Sequence, residues 1–228
     1  MHRQHPLALA PPAGGSDWLE RSVLDAPTRR ALLSINLAFL DLAVELAEEG
    51  RLRQIGGLPA RAIDALIDPD AGTRLCEQLP YALFDLRFGD GNFWTAEIAA
   101  AGGVQDAATG PQADERIVAF TRAAVMVMWH LAQTRSSGAR LVFGACATTI
   151  AAVAAMPVAA VERLARRVSP ALSARFPSRT RFWLQFEGCA TRPEAGSVES
   201  LRRLGLQIQG AESARGQSLQ RRHRRIVA

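Results

Sequence analysis

The stretch ARLVFGACATTIAAVAAMPVAAVERLARRVSPALSARFPSRTRFWLQF, residues 139 to 186, decides how the chain reads. It divides at Met156-Pro157 into two short helical patterns, with a basic edge on the second and an aromatic, strand-like segment behind it. Thr148 to Ala155, the break, and Val158 to Val168 have the length and spacing of a helix-turn-helix, and a proline suits a first helical turn. Helical spacing puts Val158, Val161, Leu164 and Ala165 toward a core and leaves Arg163, Arg166 and Arg167 outward. Guanidinium groups placed this way can hold phosphates or read guanine edges. They equally fit a solvated helix end whose cations meet the negative pole of the helix dipole. Arg140, Arg179 and Arg181 flank the pair and complete the candidate DNA-binding set.

The same region raises a membrane question, because Leu141 to Val161 contains no charged residue and is long enough to span a bilayer. Its many Ala, Thr and Gly residues and Pro157 give a weak insertion signal, so no membrane association is expected.

Working outward, Asp25-Ala26-Pro27-Thr28 reads as a helix start and Gly50 as its stop. Between them Leu33, Leu37, Leu40, Val44 and Ala47 form one apolar stripe, and Leu32, Ile35, Phe39, Leu42 and Leu46 a second. So wide an apolar surface needs cover from more than one side. Leu83 to Phe88 alternates as a strand would, and Gly89 to Asn92 turns the chain, so Phe93-Trp94 is expected to pair back as a short hairpin. Asp114 or Glu115 opens a second long helix carrying Ile117, Phe120, Ala124, Val127 and Leu131 at helical spacing.

Shifting the first half by 88 aligns Gly50 with Gly138, Gly56 with Gly144, Pro69 with Pro157, and Arg87-Phe88 with Arg175-Phe176. Ala31/Ala119 and Ala71/Ala159 are the further identities over that span. Punctuation residues recurring in fixed order point to a tandem duplication.

The chain has 228 residues and a net charge of +5, all of its basic residues being arginine. Residues 1 to 113 carry −6, residues 114 to 200 carry +5, and residues 201 to 228 carry +6. A basic second half is the electrostatic footprint expected for a polyanion partner. Cys76, Cys146 and Cys189 show no metal-ligand spacing, and His2, His5, His130 and His223 are scattered, so neither a disulfide framework nor a metal site is expected and a cytoplasmic setting is the default. No phosphate loop, dinucleotide fingerprint, zincin motif or nucleophile elbow occurs, which argues against an enzyme, a cofactor and a small-molecule substrate.

Ile35-Asn36-Leu37-Ala38-Phe39-Leu40-Asp41-Leu42-Ala43 closely resembles the opening of the long first helix in the bacterial flagellar transcriptional regulator FlhD family. Met156 through Ala165, together with Ala174-Arg175-Phe176, is similar to that family's later helix and closing Arg-Phe. The resemblance implies a mainly α chain of two FlhD-like helical units in tandem, packed as an internal pseudo-dimer, with room for short β-hairpins. It also implies an FlhC-type protein partner, double-stranded DNA, and control of flagellar or motility genes as activator or co-activator. The cysteine that precedes the family's Arg-Phe has Phe84 and Leu172 in its place, so no disulfide joins the units there.

On this reading residues 1–24 form an arm without fixed structure, 25–98 and 114–186 the two units, 99–113 a linker, and 187–228 an Arg-rich tail without fixed structure. The pseudo-dimer seam would take Ile35, Leu37, Phe39, Leu42 and Leu46 against Phe120, Val127 and Leu131, and further homo-oligomerisation stays open. The rival reading is a protein-only helical adaptor for motility or secretion that does not bind DNA.

Overall fold

The computed structural model describes residues 24–66, 69–103, 114–192 and 194–227. The N-terminal arm and most of the 99–113 linker therefore lie outside the described residues. The chain is mainly α, with ten α-helices and one two-stranded sheet among those residues.

Helix α1 spans Ala26–Glu48. Asp25 caps it by accepting from the Thr28 backbone N–H at 3.0 Å, and Gly50 follows its end with φ of 68°, a left-handed turn that favours glycine. Helices α2 (Ala60–Asp64) and α3 (Pro69–Cys76) pack back onto it. The chain then runs through β1 (Phe84–Asp85) into α4 (Gly91–Gly102).

The second half repeats this plan. Helix α5 (Glu115–Thr134), capped by Asp114, lies against α1. Next come α6 (Ser136–Phe143), α7 (Ala147–Ala155), a 3-10 turn and α8 (Val161–Val168), then β2 (Ser173–Ala174) and α9 (Thr180–Thr191). Helix α10 (Ala195–Val227) closes the described chain.

Strands β1 and β2 pair antiparallel, Phe84 opposite Ala174 and Asp85 opposite Ser173. The expected hairpin does not form, because Asp90 caps a helix, accepting from the Phe93 N–H at 3.0 Å, and Phe93-Trp94 therefore lies inside α4. The alternating segment finds its partner in the other half instead. The aromatic segment after Pro177 is likewise helical, within α9.

The spacing between the halves is 89, one more than the sequence identities suggest. Asp25 and Asp114 cap equivalent helices, Gly91–Gly102 corresponds to Thr180–Thr191, and Trp94 corresponds to Trp183. Both indoles lock the chain in the same way, Trp94 Nε1 donating to the Leu86 carbonyl and Trp183 Nε1 to the Arg175 carbonyl, each at 3.1 Å. Seven buried residues of α1, from Thr28 to Ala43, have a buried counterpart in α5 at that spacing, from Ile117 to Ala132. The matching Arg-Phe pairs are thus not equivalent: Arg175 stands where the first half has Leu86, and Phe176 where it has Arg87. Arg87 and Phe176 share the left-handed backbone of that turn, with φ of 57° and 56°.

Each half lends its closing helix to the other. Helix α4 packs on α7 and α8, and α9 packs on α2 and α3. The core is correspondingly continuous. Phe84 contacts Phe39, Phe120 and Phe143, and Tyr81 contacts Phe176 and Phe182 across the halves.

Of the expected seam, Ile35, Phe39, Leu42, Leu46, Phe120 and Leu131 are buried, and the Phe39 and Phe120 rings meet at 5.8 Å. Val127 is half-buried, and Leu37 lines a groove beside α3. Both ends of the α1–α5 pair carry ions. Arg116 grips Glu49 at 2.7 Å and Arg51 reaches Asp114 at 2.8 Å at one end, while Arg135 meets Asp25 at 2.8 Å at the other.

The expectation of an unstructured tail after 187 gives way to helix. Helix α9 continues to Thr191, and α10 is held by Leu201, which is fully buried, and by Tyr81, whose hydroxyl donates to the Leu201 carbonyl at 3.1 Å. Gly205 permits the approach, since a Cβ there would overlap the Tyr81 phenol. Arginine-rich composition suggested solvation, but one apolar stripe of Val198, Leu201 and Leu204 is enough to dock the helix.

Candidate functional site

The helix pair read from the sequence is present. Helices α7 and α8, with their 3-10 extensions, meet at 104° across Met156-Pro157. Trp129 of α5 fixes the bend by donating from Nε1 to the Met156 carbonyl at 2.9 Å. Val161, Leu164 and Ala165 are buried as expected, whereas Val158 is 53% exposed, because residues 158–160 form a 3-10 turn that rotates it out of the core face. No single described helix is long and apolar enough to cross a membrane, and the uncharged stretch is broken at Gly144 and again at Pro157.

The six candidate arginines separate into two groups. On α8, Arg163 Nε donates to the Ala101 carbonyl at 2.6 Å, and Arg167 Nε donates to Glu97 Oε2 at 2.8 Å, both on α4. Arg166 pairs with Glu115 at 2.7 Å and with Glu162 at 3.4 Å. The Arg166 contact holds the Glu115 carboxyl below its ordinary range. These three cations therefore fasten α8 to α4 and α5, and most of their charge is already answered.

Arg140 and Arg179 lie elsewhere, where α6 and α9 meet α10, and Arg181 follows Arg179 in the first turn of α9. Gln209 of α10 donates to the Arg140 carbonyl at 3.0 Å, and Arg179 approaches Glu212 of α10 at 4.0 Å. Arg140 and Arg181 are exposed and form no ion pair with a described residue. Helix α10 continues past this convergence into Arg221, Arg222, Arg224 and Arg225. The sequence named the residues of this second cationic face but not its assembly, which depends on α10 being a docked helix.

The first half offers a different surface. Leu37, Leu40, Val44 and Leu66 line a shallow groove of about 600 Å³, with Asp41 and Glu45 along it. In the second half the corresponding positions on α5, beside α8, are Met126, half-buried Trp129 and His130, so the acidic residue is not repeated there.

Among the described residues no group of His, Cys, Asp and Glu is arranged to hold a metal ion. Burial pushes the Cys76 thiol up to about 12, with the Asp41 carboxylate adding to the shift, so that cysteine is inert packing. No family model matches the chain, and neither a curated protein nor a solved structure matches it.

Proposed function

We propose that the chain is a helical transcriptional regulator or co-activator of the FlhD type, built as an internal pseudo-dimer, that acts with a protein partner on promoter DNA. The observation that carries this reading is the reciprocal exchange of α4 and α9 between halves that repeat at a spacing of 89. Such an exchange makes one chain the counterpart of a two-chain assembly. The acidic groove on the first half suits an apolar, basic segment of an FlhC-type partner. Unpaired Arg140 and Arg181 and the arginine-rich end of α10 suit phosphates, and the paired arginines of α8 contribute less.

Duplex binding across a salt series, with and without the partner, tests it. Arg140→Gln with Arg181→Gln should weaken binding and reduce the salt slope by about 2. The triple Gln variant at Arg163, Arg166 and Arg167 should change the slope by less than about 1. Unchanged binding in the double variant would remove this face from the reading.

The rival, a protein-only adaptor, draws support from the α8 ion pairs, which occupy the cations a recognition helix would offer. Stoichiometric partner binding with no duplex affinity is its signature.

A further inference from the structure

A pocket of about 350 Å³ opens where the two halves meet α10. Two of its lining side chains are buried yet incompletely hydrogen-bonded. Arg175 is 5% exposed, and its Nη1 donates to the Phe143 carbonyl at 2.7 Å and to Asp85 at 3.4 Å, while Nε has no partner. Gln209 is 7% exposed, and its amide nitrogen donates to the carbonyls of Arg140 and Leu141 at 3.0 and 2.8 Å. Two carbonyl acceptors fix which way that amide points, so Oε1 is left as an acceptor with no donor. Buried polar atoms in folded proteins nearly always have partners, and here one donor and one acceptor on the same pocket lack them.

The surroundings state what the missing partners would be. Asp85 also lines the pocket but meets Arg175 only through Nη1, at 3.4 Å. Arg140, exposed and without an ion pair to a described residue, and Cys146 at the N-terminus of the nine-residue α7 line it too, so the group that accepts from the rest of the Arg175 guanidinium would be an anion. Glu212 also lines it, engaged among the described residues only by the 4.0 Å contact with Arg179, and would favour a positive or hydroxyl donor beside Gln209. Gly144 permits this construction, because a Cβ there would overlap the Arg175 guanidinium.

We propose that this pocket binds a small carboxylate bearing an adjacent amino or hydroxyl group, an α-amino or α-hydroxy acid. Its carboxylate lies between Arg140 and Arg175, and its donor faces Gln209 and Glu212. The volume leaves room for a side chain beyond those groups.

Titration calorimetry on the full chain, without DNA, tests this with the twenty L-amino acids, their hydroxy-acid analogues and the matching decarboxylated amines. At least one acid should bind saturably, while the amine of the same side chain should not. Arg140→Gln should weaken binding about tenfold or more, the loss of a charge-assisted hydrogen bond, and Arg53→Gln, away from the pocket, should leave it unchanged. The bound acid, at ten times its Kd, should slow alkylation of half-exposed Cys146 by about tenfold, as expected from simple occupancy. Cys76 and Cys189, being buried, provide slow internal references. No acid binding, binding unaffected by Arg140→Gln, or binding without protection of Cys146 would each overturn the assignment. The outcome is independent of the regulator reading, since no nucleic acid or protein partner enters the assay.

Discussion

The segments from Leu83 to Trp94 and from Leu172 to Trp183 have one backbone and two chemistries. Each runs through two strand residues, a left-handed residue and a turn into a helix whose tryptophan reaches back to the carbonyl eight residues earlier. The side chains on that scaffold differ. At the spacing of 89, Arg175 takes the place of Leu86, Ala174 that of Asp85, and Arg179, which supplies no side-chain cap, that of the cap Asp90. The long helices show the same divergence, with buried Val125 of α5 in the place of buried Asn36 of α1. What persists is the geometry that closes the backbone, and what diverges is the buried polar chemistry, which is where partner and ligand specificity would arise.

The tryptophans give the largest test of that equivalence. Trp94→Ala and Trp183→Ala should each cost roughly 3–5 kcal/mol in urea unfolding, the range for truncating a fully packed aromatic. Losses that differ by more than about 2 kcal/mol would show that the two locks are not interchangeable. Asn36 is next. Its side chain donates to the Tyr81 carbonyl at 3.0 Å and accepts from the Leu83 N–H at 2.9 Å, which sets the entry to β1. Asn36→Val imports the second half's solution and orphans two buried backbone groups, at a cost of about 2–3 kcal/mol by the same measurement. A loss below about 1 kcal/mol would mean that the strand entry is held by packing alone.

Much of the architecture was legible locally. Asp25 and Asp114 as caps, Gly50 as a stop, and Met156-Pro157 as a helix break are short-range features, and each appears where its chemistry places it. That the second half repeats the plan of the first was legible too, but the register of the repeat was not. Arg87-Phe88 and Arg175-Phe176 match as letters, whereas burial requires Arg175 to occupy the place of Leu86. Dipeptide identity carries less positional information than a helix face. The strand pairing, the docking of α10 and the Arg175 pocket depend on residues brought together from distant segments, as with Tyr81 and Leu201, and no local pattern announces them.

Arg175→Leu turns the second half's residue into the first half's. A buried, partly unsatisfied guanidinium is costly to hold, so an apolar side chain in its place offsets what the Phe143 carbonyl and the half-buried Asp85 carboxylate lose with it. The expected change is within about 1 kcal/mol in either direction, while acid binding is lost. A loss above about 3 kcal/mol would make Arg175 a structural anchor rather than a ligand-facing group.

The smallest effects belong to the two ends of the α1–α5 seam. Hydrogen bonds from Arg116 and then Arg51 lower the Glu49 carboxyl from its ordinary 4.5 to about 2, and Arg116 also lowers Asp114. At the other end Asp25 is lowered first by its hydrogen bonds with Thr28 and only weakly by Arg135. Carboxylates lowered in the folded state stabilise it fully above their ordinary values, and that contribution disappears as pH falls through the folded ones. The urea midpoint should therefore drop as pH falls from 4.5 toward 2. Arg116→Gln should flatten this dependence more than Arg135→Gln, because Glu49 relies on its arginines and Asp25 relies on its own helix cap. The exposure of both pairs to solvent keeps either change small and reduces it further at high salt. Equal slopes in the two variants would show that the ends of the seam, unlike its buried middle, are electrostatically alike.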